Sequence, residues 1–233
     1  MKTSSNYVIV YDFETGNLWN SKCIAFDNAP LVELAMVCVD MNKLEIIDEV
    51  DLIFPYGYKE DLVYSQQALE THGITKEIQD ENSVPLKDIY KTCKQWFTKY
   101  KNPRQLCTLA GHNIVGFDNP FMKNFFAYMK DDIDNYVKYY IDTMQIAHMA
   151  ALEQMNYQLG TCCQLAGIDL VDAHRALNDT KANAQLFISY VKKLRGEGQQ
   201  SNVEKKEERS EEPFMEKLQT EIMEGKSVCV LNR

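Results

Sequence analysis

Apolar runs early in the chain have the lengths expected of buried strands. Residues 6 to 12 and 31 to 39 are rich in β-branched and aliphatic side chains, and residues 44 to 54 alternate in part between apolar and polar. Continuous apolar runs are typical of strands buried on both faces, and alternation is typical of a half-buried strand. The first part of the chain therefore predicts three strands.

Beyond residue 86 the spacing of apolar residues becomes helical. It predicts a helix over 86 to 100, followed by a short strand over 106 to 111. The remaining predicted elements are a helix at 119 to 130, a strand at 138 to 141, and helices at 143 to 152, 157 to 166 and 177 to 194. Strands first and helices later favour a mixed sheet with helices packed on it.

The chain has 233 residues, which is enough for one substantial core, and we expect a single domain over residues 1 to 195. Residues 196 to 212 contain only one large apolar residue, Val203, and therefore predict a flexible charged linker. Apolar residues at helical spacing return in 213 to 233 and are followed by VCVL. This last segment predicts a helix and a short strand that dock on the domain or on a partner.

Two features bear on the compartment in which the protein works. The N-terminal apolar run is broken by Asp12, which makes it too short for a signal sequence or a membrane span. The seven cysteines form no C-x-x-C pair and no disulfide framework. We therefore expect a reducing, cytoplasmic location.

The segment YDFETG carries the first candidate chemistry. Asp12 and Glu14 are two residues apart at the end of a predicted strand, so both carboxylates leave the same face. At ~5 Å they repel by ~3 kcal/mol in an effective dielectric of about 20, and a hard cation such as Mg²⁺ or Mn²⁺ turns this repulsion into attraction. A D-x-E pair also arises often by chance, so its context must decide.

Two later segments add carboxylates. Asp118 precedes a proline at a predicted helix start, where a helix cap is the ordinary interpretation. His174 lies just before the last long helix, and Asp179 falls in the first turns of that helix. Taken alone, Asp179 fits a solvated helix residue that interacts with the helix dipole.

In this order, the three segments resemble the DEDD superfamily of 3′-5′ exonucleases over residues 6 to about 192. The resemblance is to the histidine branch, DEDDh, which includes the proofreading exonuclease subunit of bacterial DNA polymerase III. The matching motifs are D-x-E-T at Asp12, Glu14 and Thr15, H-N-x-x-x-F-D at His112, Asn113, Phe117 and Asp118, and H-x-A-x-x-D at His174, Ala176 and Asp179. The sister branch has a tyrosine four residues before the last aspartate, where this chain has Arg175.

The resemblance implies an α/β fold similar to ribonuclease H, with a mixed five-stranded sheet flanked by helices. It implies two divalent cations, Mg²⁺ or Mn²⁺, held by Asp12, Glu14, Asp118 and Asp179. It also implies that His174 takes a proton from the attacking water, since histidine titrates near neutral pH. The expected products are nucleoside 5′-monophosphates.

Substrate contacts follow from the resemblance only in part. It implies that residues near the 3′-terminal nucleotide are Thr15, Gly16, His72 of the HGIT phrase, Asn113 and Phe117. Many relatives have a second threonine where this chain has Gly16, so only a backbone contact is expected there. Trp19 and Phe26 are available for base stacking, and packing within their loop is an equal alternative.

We expect a single-strand 3′-5′ exodeoxyribonuclease, with polymerase proofreading as one role and residues 213 to 233 as a docking element for a replication protein. An exoribonuclease is the nearest alternative, and a non-catalytic scaffold on the same fold is a further one. The net charge of −9 at pH 7 argues at first against a nucleic-acid partner. Bound divalent cations would invert the potential locally, so the acidity predicts weak binding to long nucleic acid rather than none.

Overall fold

Five strands form one mixed sheet in the order β3-β2-β1-β4-β5, as a computed structural model of the chain shows. The strands are β1 (Tyr7–Thr15), β2 (Leu31–Asp40), β3 (Glu45–Ile53), β4 (Cys107–Gly111) and β5 (Val137–Asp142). β1, β2 and β3 are antiparallel neighbours, whereas β4 runs parallel to both β1 and β5. The mixed five-stranded sheet expected from the sequence is confirmed.

The structure describes residues 6–17, 28–102, 105–150, 156–171 and 173–197. Trp19, Phe26, the predicted segment 213 to 233 and all but the first two residues of the predicted linker lie outside these ranges. The chain divides into two units, Met1–Val191 and Lys192–Arg233, and the whole sheet belongs to the first. Within the described ranges, no helix has the length and apolar character needed to cross a membrane.

Seven α-helices are described. They are α1 (Gln66–His72), α2 (Lys76–Asn82), α3 (Leu86–Lys99), α4 (Asp118–Tyr128), α5 (Thr143–Ala150), α6 (Leu159–Ala166) and α7 (Ala176–Leu194). The helices predicted from apolar spacing are confirmed to within a few residues, whereas α1 and α2 were not predicted. Each of these two helices has seven residues, which is too short for a periodic apolar face to stand out.

The sheet separates two apolar layers because side chains alternate along each strand. On one face, Ile9, Tyr11 and Phe13 of β1 pack in a cluster with residues of α3 and α4. On the other face, Val8 and Val10 pack with residues of α7. Asp12 and Glu14 continue the second series, so β1 directs both carboxylates toward the α7 side.

The described cysteines are free thiols within the packed interior. Cys38, Cys93, Cys107, Cys162 and Cys163 are all buried. Cys162 and Cys163, which are adjacent in α6, pack in a third apolar cluster with residues of α5 and α7. These two side chains therefore act as small apolar core residues, as expected for buried free cysteine.

Candidate active site

β1 presents the first two carboxylates where the strand ends. Asp12 and Glu14 are partly buried, whereas Tyr11 and Phe13 on the opposite face are buried. Burial raises the pKa of Asp12 well above its usual value, and the charges of Asp118 and Glu14 raise it further. Burial, followed by the charges of Asp179 and Glu33, raises the pKa of Glu14 to about 8. The protein therefore provides too little positive charge around Asp12 and Glu14 to stabilise both carboxylates in their ionised form.

α7 brings the third carboxylate to the same face. Asp179 lies in the first turn of α7, and one ligating oxygen from each of Asp12, Glu14 and Asp179 lies within 4.8 Å of the other two. Asp179 Oδ1 is buried and has no hydrogen-bond partner among the described residues. Buried polar atoms normally have partners, so this oxygen fits the role of a cation ligand. Three converging hard oxygens fit a divalent cation.

Asp118 approaches the site from the start of α4. It is buried, and its Oδ1 accepts a hydrogen bond of 3.1 Å from the N–H of Phe13, which lies between Asp12 and Glu14. Burial raises the pKa of Asp118 to about 8, against the lowering effect of that N–H. The N-cap position of α4 is Phe117, and Asp118 is the first helical residue, so the ordinary cap interpretation does not apply. It lies outside the group of three carboxylates described above.

His174 lies two residues before Ala176, the first residue of α7. Its side chain is exposed, and its backbone is left-handed with a φ of 70°. Its N–H donates a hydrogen bond of 3.1 Å to Asp179 Oδ2. Burial raises the pKa of Asp179, while this hydrogen bond and the charge of His174 lower it. The backbone of the predicted proton acceptor is thus bonded to one predicted metal ligand.

An ion pair beside the carboxylates was not foreseen from the sequence. Glu33 on β2 is fully buried, and Arg175 donates hydrogen bonds to both of its carboxylate oxygens, the shortest of 2.7 Å. Glu33 belongs to none of the family motifs, although a charged residue within an apolar strand is a visible signal. Arg175 stands where the sister branch has its tyrosine.

Thr15 and Gly16 are engaged inside the protein. The hydroxyl of Thr15 is buried and donates to the carbonyl of Asn17 at 2.9 Å. The N–H of Gly16 donates to the carbonyl of Pro30, and its own carbonyl accepts from the N–H of Ser65. Both backbone groups of Gly16 are thus bonded within the protein, and its contact with substrate stays a prediction. Glycine is needed here because a Cβ atom would lie 2.7 Å from both Pro30 and Tyr64.

His72 and Phe117, two other predicted substrate residues, are partly committed to the fold. His72 ends α1, is buried, and accepts the N–H of Ile74 on Nδ1 at 3.0 Å. Its Nε2 is buried and has no partner among the described residues. Phe117 is half-buried and packs edge-on against Phe121. Neither side chain belongs to the carboxylate group.

Asn113 lies on a turn held by a buried carboxylate. It has a left-handed φ of 59°, and its N–H donates to Asp142 Oδ1 at 3.0 Å. The same oxygen accepts the N–H of Met144 in the first turn of α5, so Asp142 joins this turn to the helix start. His112, the neighbouring motif residue, lies within hydrogen-bonding distance of Thr143 and of the Tyr157 carbonyl. These motif residues thus shape the loop that leads to Asp118.

Residues 9–187 match the RNase T family model, whose description is exonuclease. The match covers well over half of the 233 residues. The chain belongs to this exonuclease family. It carries the motifs of the DEDDh branch of 3′-5′ exonucleases, so the resemblance noted from the sequence is confirmed. Membership of the family implies dependence on divalent metal ions, which the carboxylate group fits.

Curated relatives of this exonuclease include much longer proteins. The PolC-type DNA polymerase III of Bacillus cereus is 27% identical over 184 residues, which are 79% of this chain and 11% of that protein. The PolC-type polymerase of Caldanaerobacter subterraneus is 31% identical over 186 residues, or 80% of this chain and 12% of that protein. The 3′-5′ exonuclease DinG of Staphylococcus aureus is 38% identical over 88 residues, or 38% of this chain and 10% of that protein. The chain spans only 10 to 12% of the length of these relatives.

Solved structures confirm the ribonuclease H-like fold of the exonuclease. The nuclease domain of 3′hExo, a DEDDh family member bound to rAMP, superposes with a TM-score of 0.67 at 16% identity, covering 81% of this chain and 93% of that one. E. coli Exonuclease I in complex with a dA16 oligonucleotide superposes with a TM-score of 0.64 at 16% identity, covering 82% of this chain and 41% of that one.

Proposed function

We propose that this exonuclease removes nucleotides from the 3′ ends of single-stranded DNA and releases nucleoside 5′-monophosphates, with two divalent cations, Mg²⁺ or Mn²⁺, as cofactors. The observation that carries the proposal is the convergence of Asp12, Glu14 and Asp179, whose ligating oxygens lie within 4.8 Å of one another. Hard carboxylate oxygens are the ligands that these two ions prefer.

The proposed chemistry divides among five residues. Asp12, Glu14 and Asp179 would hold the cations, with Asp118 acting directly or through water. Once bound, the cations stabilise the attacking and leaving oxygens of an in-line displacement. His174 would accept a proton from the attacking water, since its side chain is exposed and its charge acts on Asp179, which its backbone N–H also contacts.

DNA is the proposed substrate because the relatives that match most of the chain are named DNA polymerases. An exoribonuclease is the second candidate, since one structural relative is a 3′-exonuclease solved with a histone mRNA stem-loop. Cation-binding carboxylates act on phosphate and do not read the 2′-hydroxyl, so they leave this choice to experiment.

Matched DNA and RNA oligonucleotides, each labelled at the 5′ end and incubated with Mn²⁺, separate the two candidates. We expect a ladder of shortened products from DNA. A ladder from RNA alone would replace the proposal with an exoribonuclease, and internal cutting without a ladder would contradict exonuclease action. The Asp12→Ala/Glu14→Ala double variant serves as the control. It should fold and make no ladder, whereas an inactive natural chain would favour the non-catalytic scaffold.

We further propose that residues 1 to 195 form the exonuclease domain and that residues 196 to 212 form a linker. Residues 213 to 233 would dock on a replicative polymerase. The exonuclease would then proofread for this polymerase in the cytoplasm. Support comes from the PolC-type relatives, which are themselves polymerases. Truncation after Leu194 tests this role by co-purification with the polymerase. Loss of retention is expected, and unchanged retention would eliminate docking through this segment.

A further inference from the structure

Glu33 lies beside the catalytic carboxylates without joining them. On the antiparallel pair β1-β2 it is the direct partner of Glu14, so both side chains leave the same face of the sheet. Its side chain has no exposed surface. A buried carboxylate is costly unless it is paired and hydrogen-bonded, so the partners of Glu33 reveal its role.

The groups that donate hydrogen bonds from Arg175 and Ala176 to Glu33 come from the start of α7, and Asp51 on β3 lies beside the pair, at 4.0 Å from a terminal nitrogen of Arg175. Arg175 donates from Nε to both oxygens, at 3.2 and 3.4 Å, and from a terminal nitrogen to Oε1 at 2.7 Å. The N–H of Ala176, the first residue of α7, donates to Oε2 at 2.8 Å. The first N–H groups of a helix have no acceptor within the helix, so Glu33 supplies one from another strand. The carboxylate is thereby fully engaged.

His174 is consequently fixed on both sides. Its own N–H is held by Asp179, and the two residues that follow it are held by Glu33. Its φ of 70° is a left-handed conformation that costs an ordinary residue about 1 kcal/mol or more, so surrounding contacts must maintain it. Release of Arg175 would free the segment that carries the imidazole.

We propose that Glu33 and Arg175 are positioning residues of the exonuclease reaction, which together hold His174 in place to accept the proton of the attacking water. This inference rests on the proposed role of His174. The alternative is that Arg175 contacts a substrate phosphate directly. The two alternatives differ in kinetics: loss of a positioning residue lowers kcat, whereas loss of a phosphate contact raises KM.

The test is a double-mutant cycle of Arg175→Gln and His174→Ala, in which steady-state kinetics on 5′-labelled single-stranded DNA with Mn²⁺ give kcat and KM separately. His174→Ala should lower the rate by ~10²–10⁴-fold, the usual contribution of a general base. Arg175→Gln should lower the rate by ~10–10²-fold in the natural background, because small misplacements of a catalytic group have effects of this size. In the His174→Ala background it should have almost no further effect.

The outcomes separate two failures. Full activity of His174→Ala would overturn the proposed base, and the inference with it. Loss of activity in His174→Ala combined with an equal effect of Arg175→Gln in both backgrounds would overturn only the inference. A change in KM alone would assign Arg175 to substrate binding and would likewise overturn it.

Two further variants control for folding. Lys181→Gln removes another ion pair between α7 and the sheet, with Glu49 at 2.9 Å, and should leave the rate unchanged. Glu33→Leu/Arg175→Leu replaces the ion pair with apolar side chains, so neither charge of the pair is left buried alone, and the hydrogen bonds that hold the segment are lost. It should fold even where Arg175→Gln does not, and it should show the same loss of kcat. Natural kcat in this double variant would contradict the inference.

Discussion

Successive side chains of β1 have different roles because they lie on opposite faces of the sheet. Tyr11 and Phe13 fill the core, while Asp12 and Glu14 face α7. This division was predictable, since alternation along a strand and the family motif agreed. Glu33 was not, because its partner Arg175 lies 142 residues away in the chain and no local pattern joins them. A side chain whose role depends on a distant partner needs the structure.

The first prediction concerns the pH dependence of stability in the metal-free protein. The pKa of Glu14 in the folded state is about 8, above its ordinary value of 4.5, so the folded protein binds more protons than the unfolded chain between these values. Its stabilising contribution is present at low pH and is lost as the pH rises through about 8. Glu14→Gln removes this contribution to the pH dependence.

Urea denaturation with a chelator present measures this effect. Between pH 5 and 8 the free energy of unfolding of the natural protein should fall by ~1–3 kcal/mol more than that of Glu14→Gln, since one pKa unit corresponds to about 1.4 kcal/mol. Identical pH profiles for the two proteins would show that Glu14 carries no raised pKa.

The second prediction concerns Gly16, whose Cβ position is already filled. An added Cβ would lie 2.7 Å from the Tyr64 ring and from Pro30, so Gly16→Ala should lower the free energy of unfolding by ~1–3 kcal/mol. The loss caused by Gly16→Ala should be smaller in a Tyr64→Ala background, because one of the two close contacts is then absent. Additive losses in a thermal denaturation cycle would mean that the ring is not the obstacle.

Among the helices, length decided what the sequence revealed. α3 and α7 have 14 and 19 residues, and their apolar spacing predicted them. α1 and α2 are too short for such spacing, yet residues of the HGIT segment mark the end of α1 and the start of α2. Gly73 ends α1 with a φ of 70°, and the Thr75 side chain accepts the N–H of Ile78 at the start of α2. Capping residues were therefore the signal to use.

The third prediction contrasts a glycine that ends a helix, Gly73 of α1, with a glycine inside a helix, Gly160 of α6. Gly73→Ala places a side chain in the left-handed conformation that ends α1 and should destabilise the protein by about 1 kcal/mol. Gly160→Ala lies inside α6, where the new Cβ meets only Leu170 at an ordinary 3.8 Å, and should stabilise the protein by ~0.5–1 kcal/mol. Changes of the same sign in urea denaturation would refute the capping account.

The whole protein is acidic, and its proposed substrate is a polyanion. The net charge of −9 disfavours broad contact with a phosphate backbone. Cations bound at the carboxylate group would make the electrostatic potential positive there and attract phosphate. Binding should therefore be concentrated at the 3′ end. The charge could be counted from the sequence, but the convergence of carboxylates from β1 and α7 required the fold.

The fourth prediction follows from this distribution of charge. Short and long single-stranded oligonucleotides with the same 3′ sequence should give KM values within about threefold of each other, because nucleotides far from the 3′ end meet an acidic surface. Steady-state kinetics with Mn²⁺ measures both values. A KM that falls steeply with oligonucleotide length would instead indicate an extended binding surface.

Calorimetric titration of Mn²⁺ into the natural protein and into Glu14→Gln/Asp179→Asn examines the carboxylate group itself. Asp88→Asn, which alters a carboxylate paired with Lys91 on the surface, is the matched control. We expect saturable binding by the natural protein and by the control, and loss of that binding in the double variant. Binding of equal affinity by the double variant would contradict the assignment of Asp12, Glu14 and Asp179 as the cation site.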